Sequence, residues 1–298
     1  MTDMLQGSLV AIVTPMTAEG ALDLPAFDSL IEWHIANGTH GIVVVGTTGE
    51  SATLTFDEHN ELVAYCVERV AGRLPVIAGT GSNNTEEAIY FSRSALQHGA
   101  DACLLVTPYY NKPSQEGLYR HFASIADAVD IPQILYNVPG RTACDLSLET
   151  TLRLAAIDNI VAIKDATGDL ERGTRMIEAL EGTLVVLSGE DALTLDLMRA
   201  GAKGTITVTA NVAPALMAKM CDLALAGDSE GAGAINRQLM PLHQALFLEG
   251  NPVPVKWALT EMGRIQSGIR LPLVELGEQF RLQVKEALLA ADIKLESN

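Results

Sequence analysis

Eight short runs of β-favouring apolar residues recur through residue 210, at Leu9–Val13, Gly41–Val45, Pro75–Ala78, Ala102–Val106, Gln133–Tyr136, Val161–Lys164, Leu184–Leu187 and Gly204–Val208. Each is nearly continuous in Val, Ile, Leu or Ala. A half-exposed strand would alternate apolar with polar residues, so these strands read as covered on both faces. Successive runs start 20 to 34 residues apart, which leaves room for the crossover helix that parallel neighbours require. Helices are expected between them at about 24–37, 57–71, 84–98, 115–128, 147–155, 170–180 and 190–200. Eight such units predict a closed (β/α)8 TIM barrel. An open doubly wound sheet competes, but it would concentrate its site where strand order reverses, and here polar or Gly-rich stretches follow nearly every strand. Those stretches would converge on one rim.

After Asn211 the strand signal stops, and Ala- and Leu-rich segments at about 213–225, 229–245, 253–261 and 274–290 read as helices. We expect a catalytic barrel over residues 1–224 and a helical region over 225–298, packed on the barrel or on a partner, without a linker that would let it move independently. A net charge of -17 opposes binding to nucleic acid or to anionic membranes. An anionic substrate would need its own local cation. Cys66, Cys103, Cys144 and Cys221 lie far apart and read as free buried thiols. With no basic segment leading into an apolar one, and no apolar stretch approaching ~18 residues, a soluble cytoplasmic protein is expected.

Lys164 ends the run Ile-Val-Ala-Ile-Lys, where a strand buried on both faces should carry no charge. A buried unpaired ammonium either lowers its pKa or finds a carboxylate, and a partly neutral amine at the C-terminal end of a barrel strand is a nucleophile toward carbonyls. The bland alternative is a lysine whose stem packs while its head reaches solvent. Tyr136 ends the preceding strand and could relay a proton through Thr47 and Thr48, although each threonine alone reads as a turn or capping residue. Arg141 could grip a carboxylate with its planar fork, or form a surface ion pair. Gly189 and Ile206 could leave room for a small ligand and offer main-chain groups to it.

The six histidines are scattered, and no HExxH, Walker or dinucleotide fingerprint is present, so neither a metal nor an organic cofactor is expected. Asp165 and Glu190 could hold magnesium at the rim; alternatively Asp165 caps a helix and Glu190 bonds turn amides. Tyr109 and Tyr110 sit on a polar rim loop, where adjacent aromatics would cover the site, pack on a neighbouring subunit or steady a turn.

Four segments in this order, Gly46–Ser51 (GTTGES), Thr107–Gly117 (TPYYNKPSQEG), Tyr136–Thr142 (YNVPGRT) and Ile163–Gly168 (IKDATG), resemble the dihydrodipicolinate synthase family, and the likeness runs from about Gly7 to Arg270. The resemblance implies condensation of pyruvate with L-aspartate 4-semialdehyde toward diaminopimelate and lysine, with Lys164 forming the pyruvate imine. It further implies a relay of Tyr136, Thr48 and Tyr110, with Tyr110 from a neighbouring subunit. Thr47 would hold the pyruvate carboxylate and support the relay, Thr48 would also contact the substrate, and Arg141 would bind the semialdehyde carboxylate. A homotetramer of tight dimers is implied, and an inhibitory L-lysine site at Ser51, Ala52, His59, Asn83, Glu87 and Tyr109. Phe56 stands where lysine-sensitive members carry histidine, which implies weaker inhibition. Sister enzymes such as N-acetylneuraminate lyase and 2-keto-3-deoxy sugar acid aldolases share the lysine and tyrosine; Arg141 with the paired threonines and tyrosines points away from them. A catalytically silent barrel would be expected to lose Lys164 or Tyr136.

Overall fold

The computed structural model describes residues 4–296. Eight strands, β1 (Gly7–Ala11), β2 (Gly41–Val44), β3 (Val76–Gly79), β4 (Ala102–Val106), β5 (Gln133–Asn137), β6 (Ile160–Asp165), β7 (Val185–Ser188) and β8 (Gly204–Thr207), pair in parallel in chain order. β8 closes onto β1, with Gly7 opposite Gly204 and Leu9 opposite Ile206. Every expected strand is present. The largest displacement is in β1, which starts at Gly7 rather than Leu9.

Around the barrel run α1 (Leu24–Ala36), α2 (Phe56–Val70), α3 (Thr85–Gln97), α4 (Gln115–Ala128), the short α5 (Pro139–Thr142), α6 (Leu148–Leu154), α7 (Leu170–Ala179), α8 (Thr194–Ala200) and α9 (Pro214–Leu225), followed by α10 (Ser229–Ala245), α11 (Val253–Glu261) and α12 (Glu278–Ala290). The one-turn α5 is not anticipated from the sequence. The helix expected over 190–200 begins only at Thr194, because Asp191–Leu193 forms a 3-10 turn. There the Asp191 carboxylate accepts the backbone N–H groups of Val208 and Thr209, at 3.0 and 2.7 Å, and so fastens the end of β8 to the end of β7. Residues 274–277, expected to be helical, precede α12.

Two apolar layers explain the strand composition. Inside the barrel Leu9, Val43, Ile77, Leu104, Ile134, Leu187 and Ile206 pack on one another; outside, the alternate strand residues meet helix residues such as Phe27, Leu30, Phe122 and Met217. Burying each of these larger side chains contributes about 1.5–3 kcal/mol. The outer layer runs on without a break into Val255, Leu259 and Leu288 of the last helices and Leu276 just before α12. The C-terminal helices therefore share the barrel's core.

Two charged contacts bind this last part of the chain to the loop after β2 and to the start of α2. Lys256 of α11, its side chain 5% exposed, donates to the Glu50 carboxylate and to the Thr14 carbonyl, the latter at 3.0 Å. Removing one partner of such a buried pair typically costs about 3–5 kcal/mol, because the other charge is left unsolvated. Arg270 grips both Glu58 carboxylate oxygens, at 2.8 and 2.6 Å, and also donates to the carbonyls of Thr53 and Gly20. Its hydrogen bonds hold the Glu58 carboxyl down to about 2. Glu58 in turn closes the capping box with Thr55 that begins α2.

Candidate active site

Parallel register places Tyr136 of β5 beside Lys164 of β6, and both side chains rise into a cavity of about 160 Å³ at the C-terminal mouth of the barrel. That is well below the roughly 300–1,000 Å³ of drug-sized sites, so a ligand of a few heavy atoms fits. Lys164 is 6% exposed, and its Nζ stands 4.3 Å from the centre of the Tyr136 ring. Burial lowers its amine to about 8; Asp191 and Glu190 pull it upward, and Arg141 adds to the lowering. Burial also raises the Tyr136 phenol, against Arg141 and the Thr47 hydroxyl. Gly189 forms the wall beside the lysine stem, where an added Cβ would come within 2.8 Å of Lys164 Cε. A side chain at that position would displace the amine.

The paired threonines sit on a loop with unusual backbone geometry. It begins at Val45, with φ of 50°, and ends at Glu50, with φ of 58°, conformations that are costly for side-chain-bearing residues and above all for a β-branched one. Gly49 permits this turn, since a Cβ there would stand 3.0 Å from the Val45 backbone. The loop is fixed by Glu50 on Lys256 and by the Thr14 hydroxyl, which donates to the Gly49 carbonyl at 2.7 Å. As a result the two hydroxyls point to different partners. Thr47 faces the Tyr136 phenol, whereas the Thr48 hydroxyl accepts from Asn251 Nδ2 at 2.9 Å. The Thr48 hydroxyl, expected in line with Tyr136, is thus turned to Asn251 and Thr47 stands beside the phenol, a distinction that a Thr-Thr doublet cannot carry.

Arg141, on α5, lines the cavity and donates to the Asn251 carbonyl at 3.3 Å. Ile206, buried in the inner apolar cluster, is not part of the lining, whereas Val208 is. Tyr110 is 89% exposed with φ of 75°, on the rim and outside the cavity of its own chain. Glu190 lines the cavity; Asp165, next to Lys164 on β6, is turned the other way, where it accepts from the Thr167 hydroxyl at 3.0 Å. The two carboxylates do not face one another, and the cap of α7 is Asp169 rather than Asp165. Phe247 and Asn251 on the cavity wall escaped the sequence reading, which had placed Glu190 at the rim.

A second cavity, of about 560 Å³, opens alongside and shares Thr47, Arg141 and Asn251 with the first. Ser51, Ala52, His59, Glu87 and Tyr109 line it together, as does Phe56, which stacks on Tyr90 and meets Phe91 edge-on. Asn83 stands behind this wall, donating to the Tyr109 carbonyl at 3.1 Å. The cap of α3 is Asn84.

Residues 4–291 match the dihydrodipicolinate synthetase family. The 4-hydroxy-tetrahydrodipicolinate synthase of Alcanivorax borkumensis is 59% identical over 285 residues, 96% of this chain and 97% of its own. Among solved structures, the chloride-inhibited dihydrodipicolinate synthase of Acinetobacter baumannii complexed with pyruvate superposes with a TM-score of 0.96 at 54% identity, covering 97% of this chain and 99% of the other. The enzyme of Cyanidioschyzon merolae with lysine bound gives 0.94 at 40% identity, covering 97% and 99%.

The lowered amine makes a directional prediction. Only the unprotonated form attacks a carbonyl, so borohydride trapping of a small 2-oxo acid on Lys164 should strengthen as pH rises through about 8 and level off above it. Mass spectrometry of the reduced adduct across this range checks it. A midpoint near the ordinary lysine value of ~10.4 would show that the amine is not desolvated.

Proposed function

The chain belongs to the dihydrodipicolinate synthetase family, and from that premise we propose how it catalyses the Schiff-base condensation of pyruvate with L-aspartate 4-semialdehyde in diaminopimelate and lysine biosynthesis. The observation that carries the assignment of roles is the Lys164 amine, buried at the barrel mouth beside Tyr136 with its pKa lowered toward neutrality. Lys164 Nζ adds to C2 of pyruvate, and the C2 oxygen leaves as water to give the imine. The protonated imine draws electrons from C3, so a methyl proton is lost and the enamine forms. Its C3 attacks the aldehyde carbon, and the aldehyde oxygen takes up a proton. The amino group of the second substrate then adds to C2 and displaces Lys164, closing the ring. The imine itself is the electron sink, so the chemistry asks for no further cofactor.

Tyr136 with Thr47 carries protons to and from the reacting oxygens, Thr48 binds the pyruvate carboxylate, and Arg141 receives the carboxylate of the semialdehyde. Tyr110 completes the relay from the partner subunit, a reading supported by its exposure on the rim of its own chain. This requires a tight dimer, two of which make the tetramer. The second cavity binds L-lysine, with Glu87 toward its ammonium; the lysine-bound relative from Cyanidioschyzon merolae supports that reading. Phe56 contributes packing to that wall but no hydrogen bond.

Three measurements check these roles. Arg141 is exposed, so its bond to a bound carboxylate is scaled as a charged hydrogen bond of about 1.5–3 kcal/mol. Arg141→Ala should thus keep the pyruvate imine and lose roughly 10- to 150-fold in kcat/KM for the semialdehyde; undiminished turnover would remove the assignment. Mixing inactive Tyr110→Phe with inactive Lys164→Ala subunits should restore activity in hybrid dimers, and no recovery after confirmed subunit exchange would put Tyr110 to work within its own chain. Titration with L-lysine should give partial, weak inhibition, strengthened in Phe56→His. Absence of binding heat in calorimetry would refute the regulatory site.

A further inference from the structure

Asn251 lies between α10 and α11, far from every segment that carries the family resemblance, yet it is 6% exposed and lines the reaction cavity. Its side chain makes one contact: Nδ2 donates to Thr48 Oγ1 at 2.9 Å, while Oδ1 is buried without a partner. Its main-chain carbonyl accepts separately from Arg141 at 3.3 Å. A threonine hydroxyl has one proton and two lone pairs, and an amide N–H can only donate. Once Nδ2 occupies a lone pair, the Thr48 proton must point elsewhere, and no acceptor among the described residues receives it. The direction left to it is the cavity.

We propose that Asn251 is a positioning residue that fixes the polarity of Thr48, holding its hydroxyl as a hydrogen-bond donor toward the carboxylate of the incoming 2-oxo acid. This rests on the reading of Thr48 as a pyruvate contact. A free hydroxyl would spend part of its time with lone pairs facing the carboxylate, which repels it. The amide removes that orientation before the ligand arrives, so Asn251 acts on pyruvate capture rather than on the later carbon–carbon step. The Arg141 contact uses the main chain, so side-chain replacement leaves the second substrate's cation in place.

Asparagine and aspartate have the same shape, but an aspartate carboxylate accepts where Nδ2 donates. Asn251→Asp should therefore turn the Thr48 proton away from the cavity and raise the pyruvate concentration needed for half-maximal borohydride trapping more than tenfold. Asn251→Ala, which merely frees the hydroxyl, should raise it about three- to tenfold, the scale of one neutral hydrogen bond. In both, kcat at saturating pyruvate and KM for the semialdehyde should stay within about twofold of the parent, and near-ultraviolet circular dichroism should report an intact fold. Thr48→Val should weaken trapping similarly, and adding Asn251→Ala to it should weaken trapping no further. Parent-like capture in Asn251→Asp overturns the proposal, as do additive losses in the double variant or a defect confined to kcat. Parent-like capture in Thr48→Val instead overturns the underlying role of Thr48. A loss in Asn251→Asp that persists beside an unaffected Thr48→Val would mean that the charge, not the hydroxyl, is responsible.

Discussion

Removing one amine from water is the constraint that organises this molecule. An ammonium at Lys164 would be poorly solvated at a barrel mouth floored by aliphatic side chains, and among the described residues none forms a direct ion pair with it. The nearest carboxylates, Asp191 and Glu190, act only through space, Arg141 opposes them, and the aromatic ring of Tyr136 lies against the amine. A direct salt bridge would have kept the proton on and the lone pair unavailable. The closed sheet makes this balance possible, because eight parallel strands exclude water from below while their loops leave one opening above.

The loop opposite the lysine depends on a different interaction. Its residues adopt left-handed backbone at Val45 and Glu50, and such strain persists only where surroundings over-determine it. Here they do: Lys256 holds Glu50 from below, Arg270 secures the turn and helix that follow, and the Asn251 amide reaches Thr48. Elements that look like an addition to a finished barrel are the frame on which half of the site is stretched.

What could be read from the residues alone divides along the same line. The strands were legible because burial on both faces leaves an apolar run with little else to be, and Lys164 was legible because a charge at the end of such a run demands a reason. The orientations of Thr47 and Thr48 were not, since adjacent residues of a turn differ in direction without differing in composition. Asn251 was hidden by separation: it contacts a residue 203 positions away, and an asparagine before a proline reads as ordinary turn chemistry. Val208 rather than Ile206 lines the cavity, because a run of buried residues does not say which of them reaches its wall.

The placement of those clamps has a consequence for how the molecule is made. The eighth strand ends at Thr207, and by then every strand and the lysine nucleophile have been synthesised, whereas Asn251, Lys256 and Arg270 are added only later. A nascent chain leaves the ribosome amino terminus first, and its early parts begin to fold on emergence. During that interval the barrel has its full set of strands while the loop bearing both threonines lacks the groups that hold it. Translation thus postpones a fully clamped active site until nearly the whole polypeptide is free, and a chain halted after the last strand would carry Lys164 and both threonines without the groups that hold the threonine loop.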